Sequence, residues 1–308
     1  MTKIFIDGAA GTTGIQIRDR LEGRSEFDLI TLGDAARKDD GARAEAINTA
    51  DIVILCLPDD AARQSVQMIA NDRTRVIDAS TAHRVADGWV YGMPEISGHD
   101  TVAKARFVSN PGCYSTGFIA LVAPLVKAGI IPAETQLTCN AASGYSGGGK
   151  AMIAEYEGTD GAPSAFRTYA LGLGHKHVPE MQARCGLTHR PLFAPAVVPV
   201  YSGMIVDVPL HRDLLVSGAD AGTMRAALAE HYAGSPIISV ADDYEAATLP
   251  IELLRDKDIM RLFVFADESS AQIRLVAALD NLGKGASGAA VQNLNLMAGL
   301  PETTGLRL

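Results

Sequence analysis

Cys113 has the setting of a catalytic nucleophile. It follows Asn-Pro-Gly at 110–112, which predicts a turn, and a short apolar run at 106–108 is typical of a strand end. After Cys113, apolar residues recur at helical spacing as far as Gly129. Cys113 is therefore expected at a helix N-terminus, where free N–H groups and the helix dipole favour a thiolate that attacks electrophilic carbon. A buried structural cysteine is the alternative interpretation.

The three other cysteines provide a contrast. Cys56, Cys139 and Cys185 lie in strand-like or helix-like segments, and no pair of cysteines has the spacing of a zinc knuckle or a dithiol redox motif. We interpret these three as small core residues. Four scattered cysteines and no signal peptide are typical of a protein of the reducing cytoplasm.

Two histidines form a second group that could do chemistry. His175 and His177 are followed closely by Glu180. Histidine transfers protons near neutral pH, and a carboxylate can fix its tautomer. The pair also has the spacing of half a metal site, but no third ligand cluster of suitable spacing accompanies it, so no metal is expected. Two solvated histidines are the remaining alternative.

A glycine-rich turn near the start of the chain predicts a dinucleotide site. Residues 3–7 are an apolar strand, the turn has glycine at 8, 11 and 14, and apolar residues at helical spacing follow. Glycines there let the backbone approach a pyrophosphate whose charge lies at the helix N-terminus. A merely structural turn is the alternative.

The residues after the second predicted strand bear on the choice of nucleotide. Asp34 could bind a ribose hydroxyl, as in NAD enzymes, whereas Arg37 and Lys38 could neutralise the 2′-phosphate of NADP. Two adjacent cations favour NADP, with ordinary surface charge as the alternative.

Two further segments could bind anions. Residues 143–150, which include Ser143 and Gly144, form a predicted Gly/Ser-rich loop whose successive N–H groups could hold a phosphate or carboxylate. A flexible surface loop is the alternative. Arg84 follows a predicted strand end and could clamp a phosphate, or could simply be solvated.

The elements that must position these residues follow an α/β plan. Strands predicted at 3–7, 29–32, 52–57, 76–78 and 107–108, with helices such as 61–70 between them, indicate a doubly wound parallel sheet. Past the Cys113 helix, predicted strands follow one another with fewer helices, which indicates a mixed or antiparallel sheet. These strands are at 135–142, 194–199, 204–209, 262–266 and 272–279. A last helix at 286–298 could fold back onto the nucleotide domain.

Length and composition narrow the class of protein. A chain of 308 residues is long enough for two domains. A net charge of −9 without a basic stripe argues against nucleic-acid binding. No apolar stretch is long enough to span a bilayer, so no membrane partner is expected.

The motifs together resemble the N-acetyl-gamma-glutamyl-phosphate reductases of arginine biosynthesis. The resemblance rests on the glycine turn, on the segments 109–114 and 175–180, on Tyr-Gly-Met-Pro-Glu at 91–95, and on the tail at 291–306. It covers nearly the whole chain, and the length is similar to the compact form of the family. Thr12, Thr13 and Lys176 depart from the residues usual in the longer form or in the family.

The resemblance implies a fold and a division of the chain. It implies a Rossmann-like doubly wound parallel sheet in an NADP-binding domain, residues 1–112 plus a C-terminal helix at about 285–308. It also implies an α+β catalytic and dimerisation domain with a mixed sheet, residues 113–284. A homo-oligomer, either a dimer or a tetramer, is the expected assembly.

The resemblance also implies a mechanism. The Cys113 thiolate would attack a small acyl phosphate, expel phosphate and form a thioester, which NADPH would reduce to a semialdehyde. One of His175 and His177 would be the acid or base; the resemblance favours His175 in that role, with His177 and Glu180 positioning the substrate. The expected substrate contacts are Arg84, Asn110, Ser143, Gly144, Tyr169 and Glu180. The expected cofactor contacts are Gly8, Gly11, Thr12, Thr13, Gly14, Arg37, Lys38, Ser80, Asn281 and Ser287.

Two other functions are compatible with the sequence. A sister reductase acting on aspartyl or aminoadipyl phosphate would use the same chemistry, and only the side chains lining the acyl pocket would distinguish it. A nucleotide-sensing protein without catalysis would need no nucleophile, so Cys113 and the paired histidines argue against it.

Overall fold

The computed structural model describes residues 1–159, 161–242, 244, 247–269 and 271–308. Its strands are β1 (Thr2–Asp7), β2 (Phe27–Ile30), β3 (Ile52–Leu55), β4 (Arg75–Asp78), β5 (Val90–Tyr91), β6 (Phe107–Ser109), β7 (Thr138–Gly144), β8 (Arg167–Thr168), β9 (Leu192–Val198), β10 (Met204–His211), β11 (Ile238–Val240), β12 (Met260–Ala266) and β13 (Gln272–Leu279). Its α-helices are α1 (Thr12–Leu21), α2 (Asp40–Thr49), α3 (Asp59–Gln67), α4 (Pro94–Ser97), α5 (His99–Lys104), α6 (Cys113–Lys127), α7 (Gly149–Tyr156), α8 (Val178–Cys185), α9 (Ala221–His231) and α10 (Gly288–Met297). Short 3-10 helices and one π-helix, Gly283–Ser287, connect some of them.

The first of two compact units contains residues 1–112 and 286–306. Within the described residues its sheet has the order β2-β1-β3-β4-β6-β5, and all the paired strands are parallel. The chain moves outward from β1 to β2 and then returns to the other side of β1 with β3. The strand order therefore reverses between β1 and β3, which is where open parallel sheets bind ligands at their carboxyl ends.

Two apolar layers cover this sheet. Alternate residues of β1 face opposite layers: Ile4 and Ile6 pack with α1 and α10, whereas Phe5 packs with residues of α2 and α3. Burial on both faces explains why β3 reads as the continuous apolar run Ile-Val-Ile-Leu. Helix α10 joins this unit through Val291 and its apolar neighbours in the same cluster.

The second unit contains residues 113–285 and 307–308. Its described strands form a mixed sheet in the order β11-β12-β13-β10-β7-β9-β8, with β7 parallel to β9 and antiparallel to β10. Helix α6 lies against β10 and β13, and Gly117 allows the close approach. A Cβ atom at Gly117 would lie 2.7 Å from Cγ2 of Val206.

The fold class expected from the sequence is confirmed, since a parallel sheet precedes a mixed one. Several boundaries differ from the prediction. The second strand covers Phe27–Ile30 rather than 29–32, because its pairing with β1 begins at Phe27. The strand predicted at 135–142 begins at Thr138 and runs on to Gly144. The short strands β5, β8 and β11 were not predicted from hydrophobic pattern.

Candidate active site

Cys113 is the first residue of α6, and its side chain is half-buried. The helix begins directly after the turn that leaves β6, as the sequence predicts. Residues 114–125 are all buried, and the first turn carries no acidic side chain. The partial positive charge of the helix N-terminus therefore acts on Cys113 without an opposing carboxylate in that turn.

His175 and His177 lie side by side just before and at the start of α8. Their ring centroids are 4.7 Å apart, with the rings nearly perpendicular. The backbone N–H of His177 donates to Nδ1 of His175 at 3.1 Å. Because Nδ1 accepts a hydrogen bond, the neutral His175 ring carries its proton on Nε2. His175 is half-buried and His177 is buried, so His175 is the more accessible of the two.

Two tyrosines and a phenylalanine surround the histidines. The Tyr169 hydroxyl donates to the Tyr114 hydroxyl at 3.1 Å, and Tyr114 donates to the carbonyl of Ala196 at 3.2 Å. The ring of Tyr169 lies 5.7 Å from that of His175. Phe193 packs edge-on against both His175 and Tyr114. The sequence analysis assigned no role to Tyr114 or Phe193; Tyr114 lies next to Cys113 in the quoted motif, whereas nothing in the sequence distinguishes Phe193.

Electrostatics link Cys113 to this aromatic group. Burial raises the pKa of Tyr169 to about 12, the hydrogen bond with Tyr114 opposes that shift, and charge on Cys113 adds to it. Burial also raises the pKa of Tyr114 well above its usual range, and Tyr169 and Cys113 contribute. Both tyrosines therefore stay protonated, and both lie within electrostatic range of the Cys113 sulfur. Their hydroxyls can act as hydrogen-bond donors and acceptors but not as anions near neutral pH.

Ser143 and Gly144 are not in a loop, contrary to the prediction. They are the last residues of β7 and are buried, and a 3-10 helix, Tyr145–Gly148, follows them. The backbone N–H groups of residues 144, 145 and 146 donate to the carbonyls of Gly203, Val200 and Tyr201. The prediction that these three N–H groups bind an anion is therefore wrong, because each already donates to a backbone carbonyl.

The hydroxyl of Ser143 nevertheless lies in the cluster. It donates to the carbonyl of Gly144 at 3.0 Å, and its hydrogen bond with the Tyr114 side chain opposes the rise in the pKa of Tyr114. Its contact with substrate stays a prediction. Glu180 is buried in the first turn of α8, two residues beyond the start of that helix.

Asn281 is buried in the second unit and uses both ends of its amide within that unit. Its Oδ1 accepts from the N–H of Gly203 at 2.9 Å, and its Nδ2 donates to the Ser146 hydroxyl at 2.9 Å. Ser287 is buried at the end of the π-helix that precedes α10. The cofactor contacts expected of both residues stay predictions.

Arg84 and Asn110 are bonded to each other in the first unit. Nε of Arg84 donates to the Asn110 carbonyl at 3.0 Å, and its Nη2 donates to the carbonyl of Ala79 at 3.4 Å. Arg84 is buried rather than solvated. It therefore supports the turn from which the chain proceeds to Cys113, and a contact with phosphate stays a prediction.

A buried hydrogen-bonded group at the end of β4 was missed by the sequence analysis. Asp78 accepts hydrogen bonds from the hydroxyl and N–H of Ser80, and Nδ1 of His83 lies 2.6 Å from its Oδ2. The ring of His83 stacks on Trp89 with centroids 4.0 Å apart. The Ser80 hydroxyl is thus engaged with Asp78, and the cofactor contact expected of it stays a prediction.

The glycine turn after β1 is packed where the strand order reverses. Gly8 has a φ of +89°, and a Cβ atom there would lie 2.3 Å from the carbonyl oxygen of Cys56. A Cβ atom at Gly14 would lie 2.5 Å from the carbonyl oxygen of Gly8. Gly11 is less restricted, since its Cβ position is 3.4 Å from the nearest atom. Thr12 and Thr13 begin α1, whose first N–H groups have no partner within the helix.

A pocket of about 430 Å³ opens beside this turn. Gly8 and Asp7 line it from the turn, and Asp34 and Arg37 line it from the segment after β2. Arg37 and Asp34 are joined by an ion pair of 3.1 Å. Among the described lining residues, Lys38 is absent, whereas Arg18 and Arg43 are present. The sequence analysis missed these two arginines, because they lie on helix faces whose direction it did not assign.

Arg43 forms a buried network with the end of β1. Its Nη2 donates to Oδ2 of Asp7 at 2.9 Å and to the Ser65 hydroxyl at 2.7 Å. The bond to Asp7 raises the pKa of Arg43 and outweighs the effect of burial. Arg43 is therefore neutralised within the protein, whereas Arg18 and Arg37 are surface residues that form ion pairs with Asp19 and Asp34.

Two kinds of feature are absent from the described residues. No group of three or more His, Cys, Asp or Glu side chains in that part of the chain could hold a metal ion. None of the helices there is long and apolar enough to cross a membrane.

Comparison with protein families matches both halves of the chain. Residues 3–105 match the NAD binding domain of semialdehyde dehydrogenases, and residues 113–281 match the semialdehyde dehydrogenase dimerisation domain. The first match includes the glycine turn and the pocket, and the second includes Cys113 and the histidines.

Curated relatives match the chain over nearly its full length. An N-acetyl-gamma-glutamyl-phosphate reductase of Rhizobium johnstonii is 52% identical, over 96% of this chain and 98% of its own length. The protein of that name from Trichormus variabilis is 47% identical over 99% of each chain. Solved structures share the fold at lower identity. Aspartate semialdehyde dehydrogenase II of Vibrio cholerae, in complex with ASA, has a TM-score of 0.73 at 18% identity and covers 97% of this chain and 98% of its own. The Francisella tularensis enzyme has a TM-score of 0.74 at 12% identity, over 96% of this chain and all of its own.

Proposed function

Because the chain belongs to the N-acetyl-gamma-glutamyl-phosphate reductases of the semialdehyde dehydrogenase family, we propose that it reduces N-acetyl-gamma-glutamyl phosphate to N-acetylglutamate semialdehyde. The reaction releases inorganic phosphate and belongs to arginine biosynthesis. The observation that carries the proposal is Cys113 at the start of α6, in electrostatic range of the Tyr114–Tyr169 pair and in the same unit as both histidines.

The first step forms a thioester on Cys113. The thiolate sulfur attacks the acyl carbonyl carbon, and the bond from that carbon to the phosphate oxygen breaks as phosphate leaves with the electron pair. The N-terminus of α6 stabilises the thiolate before the attack. Arg84, which already holds the turn before Cys113, is our candidate for a contact with the leaving phosphate.

The second step is reduction and release. Bound NADPH supplies the hydride that converts the thioester carbon to the aldehyde level. His175 Nε2–H is oriented by the bond to its Nδ1, so it can donate to the oxygen of the tetrahedral species. The carbon–sulfur bond then breaks and restores the thiolate. His177, Glu180, Tyr169 and Ser143 are the candidates for positioning the acyl chain.

The first unit fits an NADP cofactor. Gly8 and Gly14 leave room for the backbone to approach a pyrophosphate, and the free N–H groups at the start of α1 suit its charge. Arg37 and Arg18 line the pocket and suit a 2′-phosphate, whereas Asp34 beside Arg37 suits a ribose hydroxyl. The two surface arginines favour NADP over NAD.

The assembly and compartment follow the same reasoning. The match of residues 113–281 to a dimerisation domain supports a homo-oligomer, to be measured by light scattering during size-exclusion chromatography. All four cysteines are free, which suits the reducing cytoplasm.

Activity in the phosphate-dependent reverse direction tests the proposed reaction. We expect the wild-type protein to reduce NADP⁺ with N-acetylglutamate semialdehyde and phosphate at least about 100-fold faster than with aspartate semialdehyde. This ratio corresponds to about 3 kcal/mol of preferential transition-state binding. The Cys113→Ala variant should bind NADPH but form no product. Faster turnover of aspartate semialdehyde would contradict the proposed substrate, and full activity of Cys113→Ala would contradict the mechanism.

A further inference from the structure

Asn293 is a fully buried polar residue to which the proposed reaction assigns no role. It lies in α10, within the tail segment, and its exposed fraction is 0%. Its Nδ2 donates to the carbonyl of Gly92 at 2.8 Å and to Oδ1 of Asn110 at 3.1 Å. The donor end of this buried amide therefore makes two specific contacts, since a buried N–H group without partners would be costly.

Asn110 is the residue that this contact fixes. Its N–H donates to the carbonyl of Asp78 at 2.7 Å, and its carbonyl accepts from Arg84 at 3.0 Å. Its Nδ2 donates to the carbonyl of Ala286 at 3.0 Å. Asn110 is therefore bonded through its main chain to the β4 side of the sheet, and through its side chain to the C-terminal segment.

The packing around these amides leaves little room for movement. A Cβ atom at Gly92 would lie 2.4 Å from Nδ2 of Asn293 and 2.8 Å from Cγ1 of Val108. In the second unit, a Cβ atom at Gly285 would lie 3.0 Å from Cβ of Cys113. Within the first unit, Ala286 and Asn293 are bonded to Asn110, and within the second unit Gly285 packs against Cys113.

We propose that Asn293 is a positioning residue, which fixes the turn 110–112 that leads directly into Cys113. The inference rests on the proposed role of Cys113 as the nucleophile. Loss of the Asn293 amide removes the bond to Oδ1 of Asn110, and within the described residues that side chain is then held only by its bond to the Ala286 carbonyl, so the turn samples other conformations. A displacement of about 1 Å at a reacting atom can lower a rate by about 10²-fold.

Asn295 provides a matched control on the same helix. It is also fully buried, and its Nδ2 also donates to two carbonyls, those of Glu302 at 2.9 Å and Thr304 at 2.8 Å. These acceptors lie in the C-terminal tail and not in the nucleophile turn. Asn293→Ala and Asn295→Ala therefore remove the same chemical group and the same number of bonds from one helix.

The test measures alkylation of Cys113 by iodoacetamide between pH 6 and pH 9, together with the melting temperature and NADPH binding. We expect both variants to lose similar stability and to bind NADPH within about twofold of wild type. Iodoacetamide should alkylate Cys113 about 10-fold more slowly at pH 7 in Asn293→Ala but not in Asn295→Ala, and the midpoint of the alkylation rate against pH should move upward in Asn293→Ala. The kcat of Asn293→Ala should fall by a similar factor or more. Equal alkylation profiles in the two variants would overturn the inference.

A second pair keeps the test independent of how well the alanine variants fold. Asn293→Leu and Asn295→Leu keep the size of the side chain, remove the donor and bury no charge, and the same difference between them is expected. Failure of the proposed function is a separate result. Full aldehyde formation by Cys113→Ala would refute the hypothesis that Cys113 is the nucleophile. Alkylation of Cys113 in the Asn293 and Asn295 variants would still show whether Asn293 fixes the turn.

Discussion

Selective alkylation of Cys113 is a prediction whose size follows from the structure. Burial of the Cys56 thiol, to which the charges of Asp78 and Asp7 add, raises its pKa to about 12. Burial likewise raises the pKa of Cys139 and of Cys185 well above the usual range. Both Cys56 and Cys113 are half-buried as residues, so what distinguishes Cys113 is its place at a helix N-terminus, which favours the thiolate.

The expected ratio of rates can be calculated from these values. At pH 7 a thiol with a pKa of about 12 is ionised in about one molecule in 10⁵, whereas an ordinary thiol with a pKa of about 8.5 is ionised in about 3%. A more basic thiolate is a stronger nucleophile, so each ionised Cys56 reacts about 40-fold faster than an ionised ordinary thiol, which offsets part of this difference. Cys113 should therefore react about 10²-fold faster than Cys56, even before any effect of the helix dipole.

The assay follows each cysteine separately. The native protein is treated with excess iodoacetamide, samples are quenched over time, and mass spectrometry measures the modified fraction of each cysteine peptide. Between pH 6 and pH 9 the rate at Cys56 should rise about tenfold per pH unit, because this range lies below its pKa of about 12. The rate at Cys113 should level off within the range. In denaturant all four cysteines should react at similar rates.

Two results would refute this reasoning. One is a rate at Cys56 within tenfold of that at Cys113 at pH 7. The other is a rate at Cys113 that keeps rising tenfold per unit up to pH 9, which would mean that the N-terminus of α6 does not stabilise the thiolate.

Three further substitutions test the nucleotide turn, the pocket and the histidines. Gly8→Ala places a Cβ atom 2.3 Å from the Cys56 carbonyl oxygen at a φ of +89°, and should lower the free energy of unfolding by more than about 2 kcal/mol and abolish NADPH binding. Gly23→Ala, with a φ of +74° and no atom within 4 Å, should cost only about 1 kcal/mol in urea unfolding and leave binding intact. Arg37→Ala should raise KM for NADPH about tenfold but hardly change KM for NADH, because Arg37 lines the pocket. Lys38→Ala, which changes a residue outside the described lining, should raise KM for NADPH less. Equal changes in KM for both nucleotides would count against a contact of Arg37 with the 2′-phosphate. His175→Ala should lower kcat by about 10² or more, and His99→Ala, which removes a surface histidine paired with Glu302, should not; similar rates in the two variants would exclude acid catalysis by His175.

The two strand–turn–helix motifs, β1 to α1 and β6 to α6, could be predicted from the sequence because each has local signals. Asn-Pro-Gly marks the turn before α6, and the glycines at 8, 11 and 14 mark the turn before α1. The apolar run at 52–55 marks the central strand β3. These signals act over a few residues, so they locate the nucleophile and the nucleotide turn without knowledge of the tertiary structure.

The rest depends on contacts between distant residues. Strand β11 has only three residues and exists because it pairs with β12. The Gly/Ser-rich segment looked like an anion-binding loop, but the carbonyls at 200, 201 and 203 occupy its first N–H groups, and no local pattern predicts that pairing. The contact of Asn293 with Asn110 spans 183 residues. The tail at 291–306 carries a motif, but the role of Asn293 follows only from its hydrogen-bond partners.

A direct measurement of the acylated enzyme is the strongest test of the central claim. The protein is mixed with N-acetyl-gamma-glutamyl phosphate without NADPH, quenched in acid, digested and analysed by mass spectrometry. We expect the mass of one N-acetylglutamyl group on the peptide that contains Cys113, with none in Cys113→Ala, and loss of the group when NADPH is added before the quench. An unmodified Cys113 in a protein that forms aldehyde, or the acyl group on another side chain, would contradict the account.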